Sequence, residues 1–281
     1  MMGRGHSLSG AAVALGAAGA YTLSTGETIN PALLAMGTAS LAGAGLLSDL
    51  DSYTATVTKS FGVFGRVLYY ITNAVSLTIY NVTSTRKDDD KENGHRTFTH
   101  TIIAAILFGL GSFGLTSIPG ELNFFGIDYT WGQFNALIIM AFLLHLATAG
   151  IFAPQIKKAK NKLGILAPYI LMAFSLITTF IISRFLPVDG DTSYQWLAIV
   201  VGVGVFVHIL GDTITKMGTP LLWPIKISGK RWYDVSLPAA IRITAGGTVE
   251  NAILIPAFTI IAIAGIVIQV LAASGVLAVP A

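Results

Sequence analysis

The stretch 195–212, QWLAIVVGVGVFVHILGD, decides the fold class of this chain. Its apolar run is long enough to cross a membrane as a helix, which takes about 17 to 25 residues. His208 and Asp212 stand at its end, four residues apart and therefore on one face of the helix. Ionisable side chains in a membrane helix are costly unless they meet a partner or a metal. The stretch therefore predicts a membrane helix that ends at a polar site.

The composition of the whole chain agrees with this interpretation. Hydrophobic residues make up 53% of the 281 positions and charged residues 11%, with a mean hydropathy of +0.71. Soluble domains contain roughly 25% charged residues, so we expect a single membrane-embedded domain over residues 1–281. The chain has no cysteine, so nitrogen and oxygen atoms would bind any metal. We attribute the basic pI of about 9.1 to membrane orientation and expect no nucleic-acid partner.

Several apolar segments reach the length of a membrane-spanning helix. They are 8–24, 31–48, 98–117, 134–152, 163–187, 195–211 and 252–273. The first could also be a signal peptide, but the next apolar run follows so closely that we favour a retained helical hairpin. A further stretch, 61–82, contains Arg66, Asn73 and three tyrosines, which predicts an interfacial or re-entrant helix. The expected fold is all-α, a polytopic transmembrane bundle of about seven spans plus this helix.

Polar residues form short islands at the ends of these segments. The islands are Gly5-His6, Asp49-Leu50-Asp51, His95 to His100, His208 to Asp212, and Arg242 to Glu250. If 61–82 does not cross, all islands reach the same membrane face. Each alone has a simpler interpretation, such as a hydrogen-bonded pair between helices or a solvated helix end. Their convergence favours a metal site with ligands drawn from His6, Asp49, Asp51, His95, His100, His208, Asp212 and Glu250.

The distribution of charge gives an orientation. In this topology every lysine and arginine except Arg184 lies on the side of the islands. The other side carries acidic residues, namely Glu27, Glu121, Asp128, Asp189 and Asp191. Because basic loops remain in the cytoplasm, we expect a multi-pass protein of a bacterial plasma membrane with its site facing the cytoplasm.

The islands and their neighbours resemble the bacterial YdjM-like family of membrane-bound metal-dependent hydrolases, and above all its actinobacterial members. The motifs are GHSLSG at 5–10, LSDLD at 47–51, GHRTFTH at 94–100, HILGD at 208–212, GTPLLWP at 218–224, KRWY at 230–233 and RITAGGTVE at 242–250. The resemblance covers almost the whole chain. One departure is Ser52, because family members often have a histidine directly after the second aspartate.

The resemblance implies a metal-dependent hydrolase, similar in kind to zinc phospholipase C. The chemistry we expect is cleavage of a lipid or lipid-linked phosphate by metal-activated water. Zinc is the expected divalent ion, with manganese or iron as alternatives, and the number of ligands allows two or more ions. Asp51 or Glu250 would act as general base, and Arg96 and Arg242 would hold the phosphate.

Two other functions would use the same residues. A transporter would bind a metal ion or relay protons with these His and Asp side chains, and a non-catalytic membrane protein would use a metal for stability. Transporters place their ligands near the bilayer midplane at broken helices. The islands lie at helix ends, which favours the enzyme and leaves the oligomeric state open.

Overall fold

The computed structural model describes residues 1–91, 93–124, 126–187 and 194–277 and is mostly helical (69%). The α-helices are α1 (Gly3–Thr25), α2 (Pro31–Ala44), α3 (Thr56–Ser60), α4 (Val63–Thr83), α5 (Ile102–Thr116), α6 (Trp131–Ile151), α7 (Ala153–Leu163), α8 (Ala167–Ser183), α9 (Trp196–Thr213) and α10 (Ile255–Ala273). Two short strands, β1 (Glu121–Phe124) and β2 (Ile127–Thr130), form an antiparallel hairpin between α5 and α6. The all-α expectation is therefore confirmed except for this hairpin.

Within the described residues, five helical stretches are long and apolar enough to cross a membrane. They are Pro31–Asp51, Trp131–Ile151, Ala153–Ser183, Trp196–Thr213 and Glu250–Ala273. Helix α5 is apolar but shorter, at 15 residues. Helix α1 is long, but its many glycine, alanine and serine residues make it less apolar. The membrane-embedded character is thus confirmed, whereas the count of seven spans is not.

The stretch expected to lie in the interface forms one continuous helix, α4, which is not among the five candidate spans. Its inner face is polar: Asn73 donates a hydrogen bond to the backbone carbonyl of Asp51 at 3.2 Å, and Tyr80 donates to that of Asp89 at 2.5 Å. Its outer face exposes apolar side chains such as Phe64 and Ile71. Helix α4 therefore presents to its surroundings a surface that suits lipid.

Helices α1 and α10 pack closely through small residues. A Cβ added to Gly265 would lie 2.2 Å from the carbonyl oxygen of Leu15, so no side chain fits between the helices there. Gln269 adds a hydrogen bond across the contact, donating to the carbonyl of Ala18 at 2.9 Å. Small residues and buried polar groups hold membrane helices together in this way. The contact brings the start of α1, with His6, beside the residues that precede α10.

The end of α2 is wedged between two other helices. A Cβ on Gly43 would lie 2.0 Å from the carbonyl oxygen of Leu143 in α6, and a Cβ on Gly204 in α9 would lie 2.5 Å from the Cβ of Ala44. Glycine is therefore required at both contacts. Just after them, at Gly45, the chain leaves the helix and enters a 3₁₀ turn over Leu47–Asp51.

An irregular segment, 214–249, connects α9 to the last helix and packs on the loop that follows α4. Trp232 in this segment is fully buried, and its backbone N–H donates to Asp88 at 2.7 Å. Lys230 pairs with Asp89 at 2.7 Å. The carbonyl of Leu221 accepts a hydrogen bond from the backbone N–H of Ile102, at the start of α5. The segment therefore ties together the polar ends of α4, α5 and α9.

Candidate metal centre

Several helix ends bring the polar islands together. His6 lies at the start of α1, and Asp49 lies in the turn after α2. His100 lies in the turn before α5, and His208 and Asp212 lie in the last part of α9. The hydroxyl of Thr101 caps α5 by accepting a hydrogen bond from the backbone N–H of Ala104 at 3.1 Å. Because the helix begins only at Ile102, His100 lies in the preceding 3₁₀ turn and not within the helix expected over 98–117.

The hydrogen bonding of His208 fixes which of its ring nitrogens carries the proton. Its Nδ1 lies 2.7 Å from the backbone carbonyl oxygen of Gly45. A carbonyl oxygen only accepts hydrogen bonds, so Nδ1 is the donor. In the neutral ring, Nε2 then has a bare lone pair. This buried nitrogen is therefore available as a metal ligand.

His100 is held in the same tautomer through Thr99. The hydroxyl of Thr99 donates its proton to Oδ2 of Asp51 at 2.6 Å. The Nδ1 atom of His100 lies 3.0 Å from the same hydroxyl oxygen, which can then only accept. The Nε2 atom of His100 is therefore bare as well. A carboxylate that orients a ligand histidine from behind is usual in protein metal sites.

The two bare nitrogens face each other, and two carboxylates lie within 4 Å of both. The Nε2 atoms of His100 and His208 are 3.3 Å apart. Oδ1 of Asp49 lies 3.8 Å from the first and 3.7 Å from the second, and Oδ2 of Asp212 lies 3.7 Å from both. Ligand atoms about 2.0 to 2.1 Å from a tetrahedral ion stand roughly 3.3 Å apart. We call His100, His208, Asp49 and Asp212 the four-residue cluster; within it, Asp49, His100 and His208 lie close enough to one another to hold one ion.

His6 lies beside the four-residue cluster and supports it. Its ring stacks on that of His208, with 3.6 Å between centroids. Its Nε2 lies 3.0 Å from the carbonyl oxygen of Met1 and 3.2 Å from Oδ1 of Asp212, so it acts as a donor to both oxygens. The amino group of Met1 also contacts Oδ1 of Asp212. His6, His208 and Asp212 offer potential ligand atoms within 4.8 Å of one another, which makes them a second candidate group.

Asp51 and His95 form a hydrogen-bonded pair behind the cluster. Nδ1 of His95 lies 2.8 Å from Oδ1 of Asp51, and Oδ2 accepts from Thr99 and from the backbone N–H of Arg96. The structure thus places Asp51 in a supporting position, with both oxygens engaged. Burial alone would lower the pKa of His95, but the hydrogen bond to Asp51 and the charge of that carboxylate raise it above its ordinary value.

Both Nη atoms of Arg96 have partners inside the protein. Its Nη2 lies 2.9 Å from Oδ2 of Asp212, and its Nη1 donates to the carbonyl of Gly218 at 3.0 Å and the hydroxyl of Thr215 at 3.3 Å. Its φ of 57° lies in the left-handed region that non-glycine residues rarely adopt. The structure therefore places Arg96 against Asp212, with both Nη atoms engaged inside the protein.

Glu250 and Arg242 lie apart from the four-residue cluster. Glu250 is fully buried, and its two oxygens accept the backbone N–H groups of Met2 at 2.7 Å and Gly246 at 2.8 Å. Arg242 donates to the carbonyl of Leu237. Among the described residues, neither side chain forms a hydrogen bond or an ion pair with the cluster. Four of the five islands therefore converge on the cluster, whereas Glu250 anchors the amino-terminal residues.

Two groups that shape the cluster are not identifiable as site residues from the sequence. One is the Gly45 carbonyl, because any residue offers a backbone carbonyl. The other is the Thr99 hydroxyl, for which the sequence suggests only a place near a helix start. Its position directly before His100 is the signal that could have revealed it.

Comparison with protein families connects this geometry to known sequences. The family model described as YdjM inner membrane protein matches residues 1–149 and 167–278, which is nearly the whole chain. The family resemblance drawn from the sequence motifs is therefore confirmed, and with it a place in the inner membrane. Comparisons with curated proteins and with solved structures give no match. The family description states a location and no activity.

Proposed function

We propose that this chain, which belongs to the YdjM inner membrane protein family, is a metal-dependent hydrolase that cleaves a phosphoester of a membrane lipid. The observation that carries the proposal is the pair of bare Nε2 atoms of His100 and His208, 3.3 Å apart. Two buried acceptors at this distance repel each other. A divalent cation between them would remove the repulsion, with Asp49 as a third ligand and Asp212, already paired with Arg96, beside it.

A single ion fits the cluster better than two. The group of Asp49, His100 and His208 and the group of His6, His208 and Asp212 share His208, which has one bare nitrogen. They cannot each bind an ion through it at the same time. We propose zinc held by Asp49, His100 and His208, a group of three ligands that leaves the fourth tetrahedral position for a water, with manganese or iron as alternatives. Such an ion would supply an activated water and would stabilise negative charge on the phosphate.

The exposure of the ligands differs in a way that favours catalysis. The Asp49 side chain is 18% exposed, whereas that of His208 is fully buried and that of Asp212 is 2% exposed. A phosphate would therefore approach the cluster beside Asp49. Structural zinc sites are closed on all sides, while catalytic ones keep one position open.

His95 is the proposed proton acceptor. Asp51 holds its Nδ1, its Nε2 makes no hydrogen bond within the described residues, and its side chain is 28% exposed. The ring centroid of His95 lies 5.4 Å from that of His100. A histidine oriented by a carboxylate is a common general base. His95 therefore replaces Asp51 and Glu250, whose oxygens are already engaged.

We also propose a topology with the cluster at the cytoplasmic face. In it α1, α2, α5, α6, α8, α9 and α10 cross the membrane, and α4 lies in the interface. The basic helix α7 has no buried residues, and Lys230 lies in the segment that ties together the polar helix ends. Their positive charge supports a cytoplasmic location for this end of the bundle.

Metal analysis and phosphatase assays of the purified protein test this function. We expect about one zinc ion per chain, as for a mononuclear site. We also expect hydrolysis of a long-chain alkyl phosphate that a chelator abolishes and zinc restores. His145→Gln changes a buried histidine outside the cluster and should retain the metal. A metal-free protein would refute the cluster, whereas bound metal without hydrolysis of any phosphate would favour the non-catalytic alternative.

A further inference from the structure

An apolar groove runs between α5 and α6 toward the four-residue cluster. Its volume is about 530 Å³. Gly109 packs α5 tightly on α9, where an added Cβ would lie 2.8 Å from the carbonyl oxygen of Ala198. On the other side of α5, facing α6, the groove stays open. Its lining residues Leu107, Leu115 and Ile138 are 47% to 49% exposed, so the groove opens sideways toward lipid.

The inner end of the groove reaches the two 3₁₀ turns that carry Asp49 and His100. Leu50, which lines the groove, stands between Asp49 and Asp51 in the chain. Phe98, which also lines it, lies two positions before His100. Almost every other lining side chain is apolar. A molecule that fills the groove would therefore present hydrocarbon along its length and its polar end to the cluster.

The dimensions of the groove select its occupant. From Ala104 to Leu115, helix α5 rises about 16 Å, close to the roughly 15 Å of hydrocarbon in one leaflet. Spread over that length, 530 Å³ gives a cross-section on the order of 30 Å². A groove of this width and length suits one extended hydrocarbon chain.

We propose that the groove binds a single acyl or alkyl chain of the substrate and thereby places a lipid phosphate at the four-residue cluster. This inference rests on the proposed hydrolase function and adds the substrate class, a phosphate ester with a long hydrocarbon chain. Because each buried methylene adds to binding, turnover at low substrate concentration should rise with chain length until the groove is full.

Gly111→Leu tests the groove directly. Gly111 lines the groove, and a Cβ there meets no atom within 4 Å, so a leucine occupies the groove without displacing the protein. Gly114→Leu is the matched control, since Gly114 is equally open on the same helix and is not a lining residue. We expect Gly111→Leu to lower kcat/KM for hexadecyl phosphate by about 10-fold or more. Butyl phosphate hydrolysis, and both reactions of Gly114→Leu, should stay unchanged. Equal effects on both substrates, or none, would overturn the groove.

A crosslinking measurement separates the groove from catalysis. Hexadecyl phosphate with a photoreactive diazirine in its chain should label α5 and α6 in the wild type and in Gly114→Leu. Gly111→Leu should lose this label, and a hexadecanol probe should label weakly because it has no phosphate. Labelling without hydrolysis would retain the groove and reject the phosphoesterase. Hydrolysis without labelling of α5 and α6 would reject the groove, and equal labelling by hexadecanol would reject the placement of the phosphate at the cluster.

Discussion

Glu250 and the four-residue cluster are both buried and polar, yet their polar atoms are satisfied in different ways. The oxygens of Glu250 accept backbone N–H groups from Met2 and Gly246 at 2.7 and 2.8 Å. The Nε2 atoms of His100 and His208 instead face each other and two carboxylates. A buried carboxylate with its own donors is stable alone, whereas facing acceptors need a cation. A polar residue at a helix end is therefore not always a metal ligand. The hydrogen-bond partners of its side chain decide whether a lone pair remains for a metal.

The largest expected effect is the loss of metal from the cluster. His208→Ala removes one of the two facing nitrogens, so metal affinity should fall by more than about 100-fold, beyond the range for supporting residues. Competition with a chelating fluorophore measures this affinity. Glu250→Gln is the control and should bind metal like the wild type. The comparison fails if Glu250→Gln loses metal and His208→Ala retains it.

We expect a smaller loss of metal affinity when His100 is no longer held in one tautomer. Thr99→Val keeps the shape of the side chain but removes the hydroxyl that joins His100 to Asp51. Metal affinity should fall by about 10- to 100-fold, as for other outer-shell partners. Thr99→Ser retains a hydroxyl and should bind metal nearly normally. Equal affinities for the valine and serine variants would show that Thr99 does not set the tautomer.

Glu250→Gln should act on stability instead of metal binding. The amide NH₂ cannot accept the second backbone N–H, so one buried donor loses its partner. The free energy of unfolding should decrease by about 1 to 3 kcal/mol, measured by denaturation in mixed micelles. Glu27→Gln, at an exposed position, should change it by less than about 0.5 kcal/mol. Similar values for the two variants would remove the anchoring role of Glu250.

The smallest effect concerns Asp88, outside both sites. Burial would raise its pKa, but hydrogen bonds from the backbone N–H groups of Thr85 and Trp232 lower it overall. A carboxylate with a lowered pKa stabilises the fold above its unfolded value near 3.9, and this contribution is lost as pH falls through the folded pKa. Trp232 fluorescence should therefore change below about pH 4. An identical acid transition in Asp88→Asn would exclude Asp88 as its cause.

The sequence predicts the membrane class and the convergence of the islands because both depend on the lengths of apolar runs. The pairing of His208 with Asp212 follows from helix periodicity. The separation of ligands from supporting residues does not follow, because it depends on which atoms meet in three dimensions. The β1–β2 hairpin is likewise missed, since it is a short polar connection without a strong strand pattern.

The charged loop after α4 shows the same limit. Its mixed charges, including Asp88 and Asp89, are typical of a solvated loop. In the structure these two carboxylates bind Trp232 and Lys230, far along the chain. Local composition describes a charge but does not reveal a partner from a distant segment. The roles of such residues become visible only when the segments are brought together.

The glycine contacts of α2 link the interior of the bundle to the proposed metal site. The carbonyl of Gly45 orients His208, and its position follows from the close approach of Gly43 to Leu143 and of Gly204 to Ala44. A methyl group added at either contact would displace that carbonyl without touching any ligand. The close packing of the helices and the geometry of the proposed metal site would then depend on the same residues. Substitutions that alter the proposed metal site would then occur in the hydrophobic interior as well as among the ligands.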